Sequence, residues 1–215
     1  MKKYLLLFSL AVLILLVGCE KKENSEWKLN KKDNTYPFHE EEEKSYKEAI
    51  KNSKEKYLIP IAVLGEQIVA GKNTMLLCID TKKDIYKIIT IYEDLKKEVK
   101  LTNSKVFNPM KFVNQNNSIN KEQLLGGWET KMPGKPIMLE EELEYIFEKA
   151  VENIEEISYY PIRLLATNNK EKKEIILSYG RLKNNLEKVG IFILTIEKEK
   201  RKIIGNSYLD LKEWN

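Results

Sequence analysis

The sequence predicts an α+β protein built as two tandem units, each one helix packed on a four- to five-stranded antiparallel sheet. Two observations carry that reading. First, the chain repeats itself at an offset of 101 residues: Trp27 falls on Trp128, Ala49 on Ala150, Asn52 on Asn153, Pro60 on Pro161, Ile61 on Ile162 and Leu64 on Leu165. Conservative pairs fill the intervals, among them Tyr46 with Phe147, Ile50 with Val151 and Met75 with Ile176. Such self-similarity marks one supersecondary unit used twice. Second, each copy opens on a stretch of helical period and continues in short runs rich in Ile, Val, Leu and Tyr, the pattern of half-buried strands.

Composition supports a folded domain and narrows its chemistry. The 215 residues are 42% hydrophobic, with only 9 Gly and 6 Pro, which is enough apolar material for a core. Thirty-seven Lys and Arg against 33 Asp and Glu leave a formal charge of +4, a mixed solvated surface and not the footprint of a nucleic-acid binder. One His (His39) and two Cys argue against a His-based catalytic centre, a zinc site or a disulfide framework. No phosphate-cradling glycine loop accompanies the carboxylates of Glu40–Glu43 or Glu140–Glu142. The expectation is therefore a protein that is not an enzyme, with no catalytic residue, no metal and no cofactor.

Residues 1–18 read as a signal peptide. Lys2 and Lys3 precede an apolar run from Tyr4 to Val17, which is shorter than the roughly 20 residues a spanning helix needs. The small residue before Cys19 resembles the lipobox of bacterial lipoproteins. That resemblance implies acylation of Cys19 by chains such as palmitate and cleavage before it. The expected result is a lipid-anchored protein on the cell membrane or outer membrane, outside the cytoplasm. Cys78 then has no partner in the chain and is expected to be a buried thiol.

Unit one is expected to span residues 19–107. Its helix carries Tyr46, Ala49 and Ile50 on one face, and Glu40–Glu43 complement the positive end of the helix dipole. Strands are expected at Leu58–Leu64, Thr74–Ile79, Ile85–Tyr92 and Glu98–Phe107. The polar stretch 108–125 is expected to be a linker. Unit two, residues 126–215, has the better helix: Leu143, Ile146, Phe147, Ala150, Val151 and Ile154 recur at helical spacing. Its strands are expected at Tyr160–Ala166, Glu174–Tyr179, Gly190–Ile196 and Lys202–Leu211. Trp214 is expected to anchor the last strand.

One loop breaks the polar rule for turns. Between the first two strands of unit one lies Gln67-Ile68-Val69-Ala70-Gly71, with two apolar residues where a hairpin tip normally carries Asn, Asp, Gly or Ser. Exposed apolar tips point to a contact surface. The matching segment of unit two, Asn168-Asn169-Lys170-Glu171-Lys172, is polar, so the fold itself does not require the apolar tip.

Gln67–Gly71 resembles the Gln-x-Val-x-Gly signature of the cystatins, reversible protein inhibitors of papain-like cysteine proteases. Asn73 and the strand Thr74–Cys78 are similar to the strand after that signature in cystatins and stefins. The resemblance implies two tandem cystatin-like units, the second degenerate. In it Gln67, Ile68, Val69, Ala70 and Gly71 bind the protease by filling its cleft, without covalent chemistry. Gly126-Gly127-Trp128 resembles the N-terminal segment of stefin-type members and implies a secondary contact. Unit one has Ser25-Glu26-Trp27 where the family has a glycine, and Asp94-Leu95-Lys96-Lys97 where it has Pro-Trp. The expected partners are a papain-like cysteine protease and, through the N-terminal lipid, a membrane, with no nucleic acid. The other functional expectation is a non-inhibitory binding or adhesion module of the cell envelope, since one fold hosts unrelated roles.

Overall fold

A computed structural model describes residues 27–29, 40–113, 115–117 and 139–215. Each unit is a helix followed by four strands. In unit one these are α1 (Glu40–Lys51), β2 (Leu58–Val69), β3 (Gly71–Asp80), β4 (Ile85–Glu93) and β5 (Val99–Phe107); in unit two, α2 (Glu141–Val151), β7 (Ile157–Asn168), β8 (Lys173–Leu182), β9 (Asn185–Glu197) and β10 (Lys202–Tyr208). Two short strands, β1 (Trp27–Leu29) and β6 (Asn116–Asn117), complete the set. The strands form a four-stranded antiparallel sheet, β2-β3-β4-β5, and a six-stranded sheet, β1-β7-β8-β9-β10-β6, in which the two-residue β6 is the one parallel member.

The repeat extends to irregularities of the ladder. The β2–β3 pairing slips between Pro60 and Ala62 and again between Val63 and Gly65. The β7–β8 pairing slips between Pro161 and Arg163 and between Leu164 and Ala166. These are the same positions at the 101-residue offset. Proline has no N–H to give to a ladder, so a break beside Pro60 and Pro161 follows from covalent structure. Each slip increases the local twist and lets the strand continue. Both strands continue past their apolar runs, β2 to Val69 and β7 to Asn168.

Both faces of each sheet are covered. In β4, Tyr86 through Ile91 are all buried, although successive side chains point to opposite faces. Tyr86 faces the other sheet, where its hydroxyl donates to the Leu165 carbonyl at 3.0 Å. Its neighbour Lys87 faces the helix side, where Nζ meets the Glu55 carboxylate at 2.5 and 2.7 Å. On the other side of the sandwich, the Tyr179 hydroxyl donates to the Val63 carbonyl at 3.1 Å. The layers are therefore α1, sheet, sheet, α2. The inter-sheet core joins Leu64, Leu77 and Ile88 to Ile162, Leu165, Ile175 and Ile193. A second cluster, with Ile146, Phe147, Ile176, Phe192 and Leu194, seats α2 on the outer face.

The two tyrosine contacts also set direction. Tyr86 lies just after the β3–β4 turn, and Leu165 lies three residues before the end of β7. Moving to the second contact, at Val63 and Tyr179, leads toward the β2–β3 tip in one sheet and away from the β7–β8 tip in the other. The sheets therefore stack head to tail, with the β3–β4 turn beside the β7–β8 turn at one end of the molecule. The β2–β3 and β4–β5 tips stand at the opposite end.

Three expectations are refined among the described residues. Within 108–125, expected as a linker, Pro109–Phe112 forms a 3-10 turn capped by Asn108, and Asn116–Asn117 pairs with β10. β1 precedes α1 in sequence yet adds to the sheet of unit two, with Trp27 opposite Asn168 and Leu29 opposite Ala166. The last strand ends at Tyr208, and Trp214 stacks edge-on against Phe107 of unit one at 5.5 Å, so it ties the two units together. Cys78 is fully buried and free, as expected, and burial pushes its thiol well above the ordinary value.

Candidate functional site

The apolar tip stands at the free end of a continuous ladder. Val69 pairs with Gly71, Ile68 with Lys72 and Gln67 with Asn73, so the strands close through Ala70 alone. Ile68 is 74% exposed and Val69 45%, values that leave both side chains available to a partner. The hairpin is braced from below. Asn73 Nδ2 donates to Gln67 Oε1 at 3.0 Å, Lys72 and Glu66 form an ion pair at 3.2 Å, and the Tyr92 hydroxyl donates to the Ala70 carbonyl.

Gly71 is required by geometry. Its φ is +129°, and a Cβ built on it would lie 2.3 Å from the Glu93 carbonyl oxygen and 3.0 Å from the Tyr92 ring. Only glycine permits this backbone and this approach. Gly71 and Tyr92 together lock the tip onto β4, so its side chains are held in place before any partner arrives.

A second tip stands beside it. Lys72 pairs with Glu93, which brings the β4–β5 turn level with the β2–β3 tip. That turn is built by Asp94, whose side chain accepts from the backbone N–H of Lys96 and Glu98. Its apex, Leu95, is 82% exposed. Ile68, Val69 and Leu95 thus form an apolar ridge at one end of unit one. Sequence reasoning placed Asp94-Leu95-Lys96-Lys97 at this tip but did not count Leu95 as a contact residue, although a leucine flanked by Asp94 and two lysines at a hairpin tip carries the same signal as Ile68.

On the helix side the ridge adjoins a cleft of about 610 Å³ between α1 and the β4–β5 hairpin, lined in part by Glu41, Glu48, Glu93 and Glu98. The hydrogen bond from Lys97 holds the Glu93 carboxyl below the ordinary glutamate value, and Ser45 adds to this at 2.8 Å. Among the described residues no group of three or more His, Cys, Asp and Glu is placed to hold a metal ion. In unit two the corresponding tip is a polar turn, in which Asn168 accepts from the N–H of Glu171 and Lys172 adopts a positive φ of 53°. Cys19, Gly126, Gly127 and Trp128 lie outside the described residues.

Compared with protein-family models, with curated proteins and with solved structures, the chain matches none.

Proposed function

We propose that this protein is a lipid-anchored, extracytoplasmic cystatin-like inhibitor, which blocks papain-like cysteine proteases reversibly by seating Gln67–Gly71 in the active-site cleft. The observation that carries this reading is the exposure of Ile68 and Val69 at the apex of a braced hairpin. A preformed tip loses little conformational entropy on docking, and burying two aliphatic side chains supplies the driving force. Leu95 extends the same contact.

A second reading is a non-inhibitory binding or adhesion module of the envelope. It is favoured by the make-up of the ridge, since Ile68, Val69 and Leu95 would serve any partner with an apolar groove. Papain and a cathepsin, assayed on a peptide substrate with the chain Glu20–Asn215, separate the two. The first reading expects dose-dependent inhibition that Val69→Asp weakens at least tenfold, since a carboxylate would have to be buried unpaired in the cleft. No inhibition at micromolar protein would overturn it and leave the second.

A further inference from the structure

We infer that the end of the molecule opposite the apolar ridge is a basic face that rests on an anionic lipid bilayer, so that the ridge points away from the membrane. The inference rests partly on the proposed acylation of Cys19, and its test separates the two.

The first support is where the chain enters the fold. β1 runs antiparallel to β7 with Trp27 opposite Asn168, so the chain arrives at the tip of the β7–β8 hairpin. From Cys19 to Trp27 is eight residues, at most about 28 Å when fully extended. An acylated Cys19 would therefore hold this end within about 28 Å of the bilayer surface.

The second support is charge. The head-to-tail stacking gathers four connections at this end: residues 52–57, 81–84, 169–172 and 198–201. Together they hold nine Lys or Arg against four Asp or Glu. Glu55 is already bonded to the buried Lys87, while Lys198 and Lys200 form ion pairs with the strand-end carboxylates Glu174 and Glu197 at 2.8 and 3.0 Å. The connections at the ridge end, residues 94–98, 152–156 and 183–184, hold three basic against five acidic side chains. The first turn of α2, with Glu141, Glu142 and Glu144, borders the basic face on its outer layer. The backbone pairing of Lys198 N–H with the Lys172 carbonyl at 2.8 Å brings the two richest turns together. Lysines spread over a surface within a Debye length of anionic headgroups each add attraction, and the sum is salt-sensitive.

The third support is the apolar content of the same end. Tyr57 is 55% exposed and Ile59 41%, and the Lys82 ammonium sits over the Tyr57 ring at 5.2 Å. An amphipathic aromatic flanked by lysines is the pairing that interfacial anchors use.

Flotation of the chain Glu20–Asn215 with lipid vesicles tests the face without the acyl group, since every described element lies within that chain. Vesicles of phosphatidylglycerol and phosphatidylcholine are expected to bind the protein at least tenfold better than phosphatidylcholine alone, with most of the binding lost at 0.5 M salt (about a 4 Å screening length). The variant Lys170→Glu/Lys172→Glu/Lys200→Glu should lose at least tenfold, while Lys96→Glu/Lys97→Glu, at the ridge end, should bind as the parent does. Equal binding to both vesicle types would overturn the proposal, as would an equal loss in the ridge-end variant, with folding of each variant confirmed by its melting temperature. Palmitate labelling of the full chain with and without Cys19→Ser reads the anchor separately. Unlabelled protein that still binds anionic vesicles would remove the anchor and leave the face.

Discussion

Gly71 and Tyr92 are the residues on which the shape of the candidate site depends. Any side chain at position 71 meets the Glu93 carbonyl at 2.3 Å with φ at +129°, so Gly71→Ala should destabilise the protein by about 1–3 kcal/mol. Chemical denaturation measures that cost, and heteronuclear NMR should place the largest shifts at residues 67–73 and 92–93. An unchanged midpoint with an unperturbed tip would show that the strain is not there. The pair also shows how much of the site was legible. The motif and its apolar side chains stand in the sequence because a hairpin tip has a known polar preference that Ile68 and Val69 violate. The bracing by Tyr92 was not legible, because a phenol reaching a carbonyl 22 residues away is a consequence of β3–β4 register. A second residue-scale expectation concerns acid. Burial works against the Glu55 carboxylate, but hydrogen bonds from Lys87 and Ser104 and the Lys87 charge hold its carboxyl below the ordinary 4.5, and Lys97 does the same for Glu93. A lowered folded value contributes stability that is present above 4.5 and lost as the pH falls through the lower value. Thermal melts should show a midpoint that drops below pH 4.5, and Glu55→Gln should flatten that drop.

At the scale of elements, the reciprocal tyrosines join one sheet to the other. Tyr86 is buried to the point that its hydroxyl is pushed up to about 12, against the lowering influence of Arg163. It bonds a carbonyl at the β7 slip, and Tyr179 bonds one at the β2 slip. Removing either hydroxyl leaves a buried carbonyl short of a donor, which costs roughly 1–3 kcal/mol. Tyr86→Phe and Tyr179→Phe should each lower the stability measured by denaturation by that much. Their double variant should cost nearly the sum, because the two bonds join different strand pairs, β4 to β7 and β8 to β2. The helices, the meanders and the hairpin positions were legible from period and composition. Strand lengths were less so: β9 begins at Asn185, ahead of the apolar run from Gly190, where its pairing with β8 shifts register between Arg181 and Leu182. The β1 and β6 pairings were invisible, since strands of two or three residues leave no pattern to read.

At the scale of the whole molecule, the two units form one core. Leu64, Leu77 and Ile88 pack with Leu165, Ile175 and Ile193, and Trp214 of the last turn rests on Phe107 of the first unit. A chain of residues 19–107 alone would expose the inner face of its sheet and should fail to fold cooperatively by circular dichroism and denaturation. A cooperative transition matching that of the full chain would contradict the shared core. Net charge was a poor guide at this scale: a total near neutrality hides basic turns gathered at one end and a ridge with acidic surroundings at the other, a segregation that arises only once the sheets stack head to tail.

Occlusion of a protease cleft by the ridge is tested most directly on the protease's own nucleophile. Papain mixed with a stoichiometric excess of the chain Glu20–Asn215 is treated with iodoacetamide, and alkylation of the catalytic cysteine is followed by mass spectrometry. Alkylation should be slowed at least tenfold by the parent protein and restored by Ile68→Asp/Val69→Asp. Alkylation at the rate of free papain in the presence of the parent protein would contradict it.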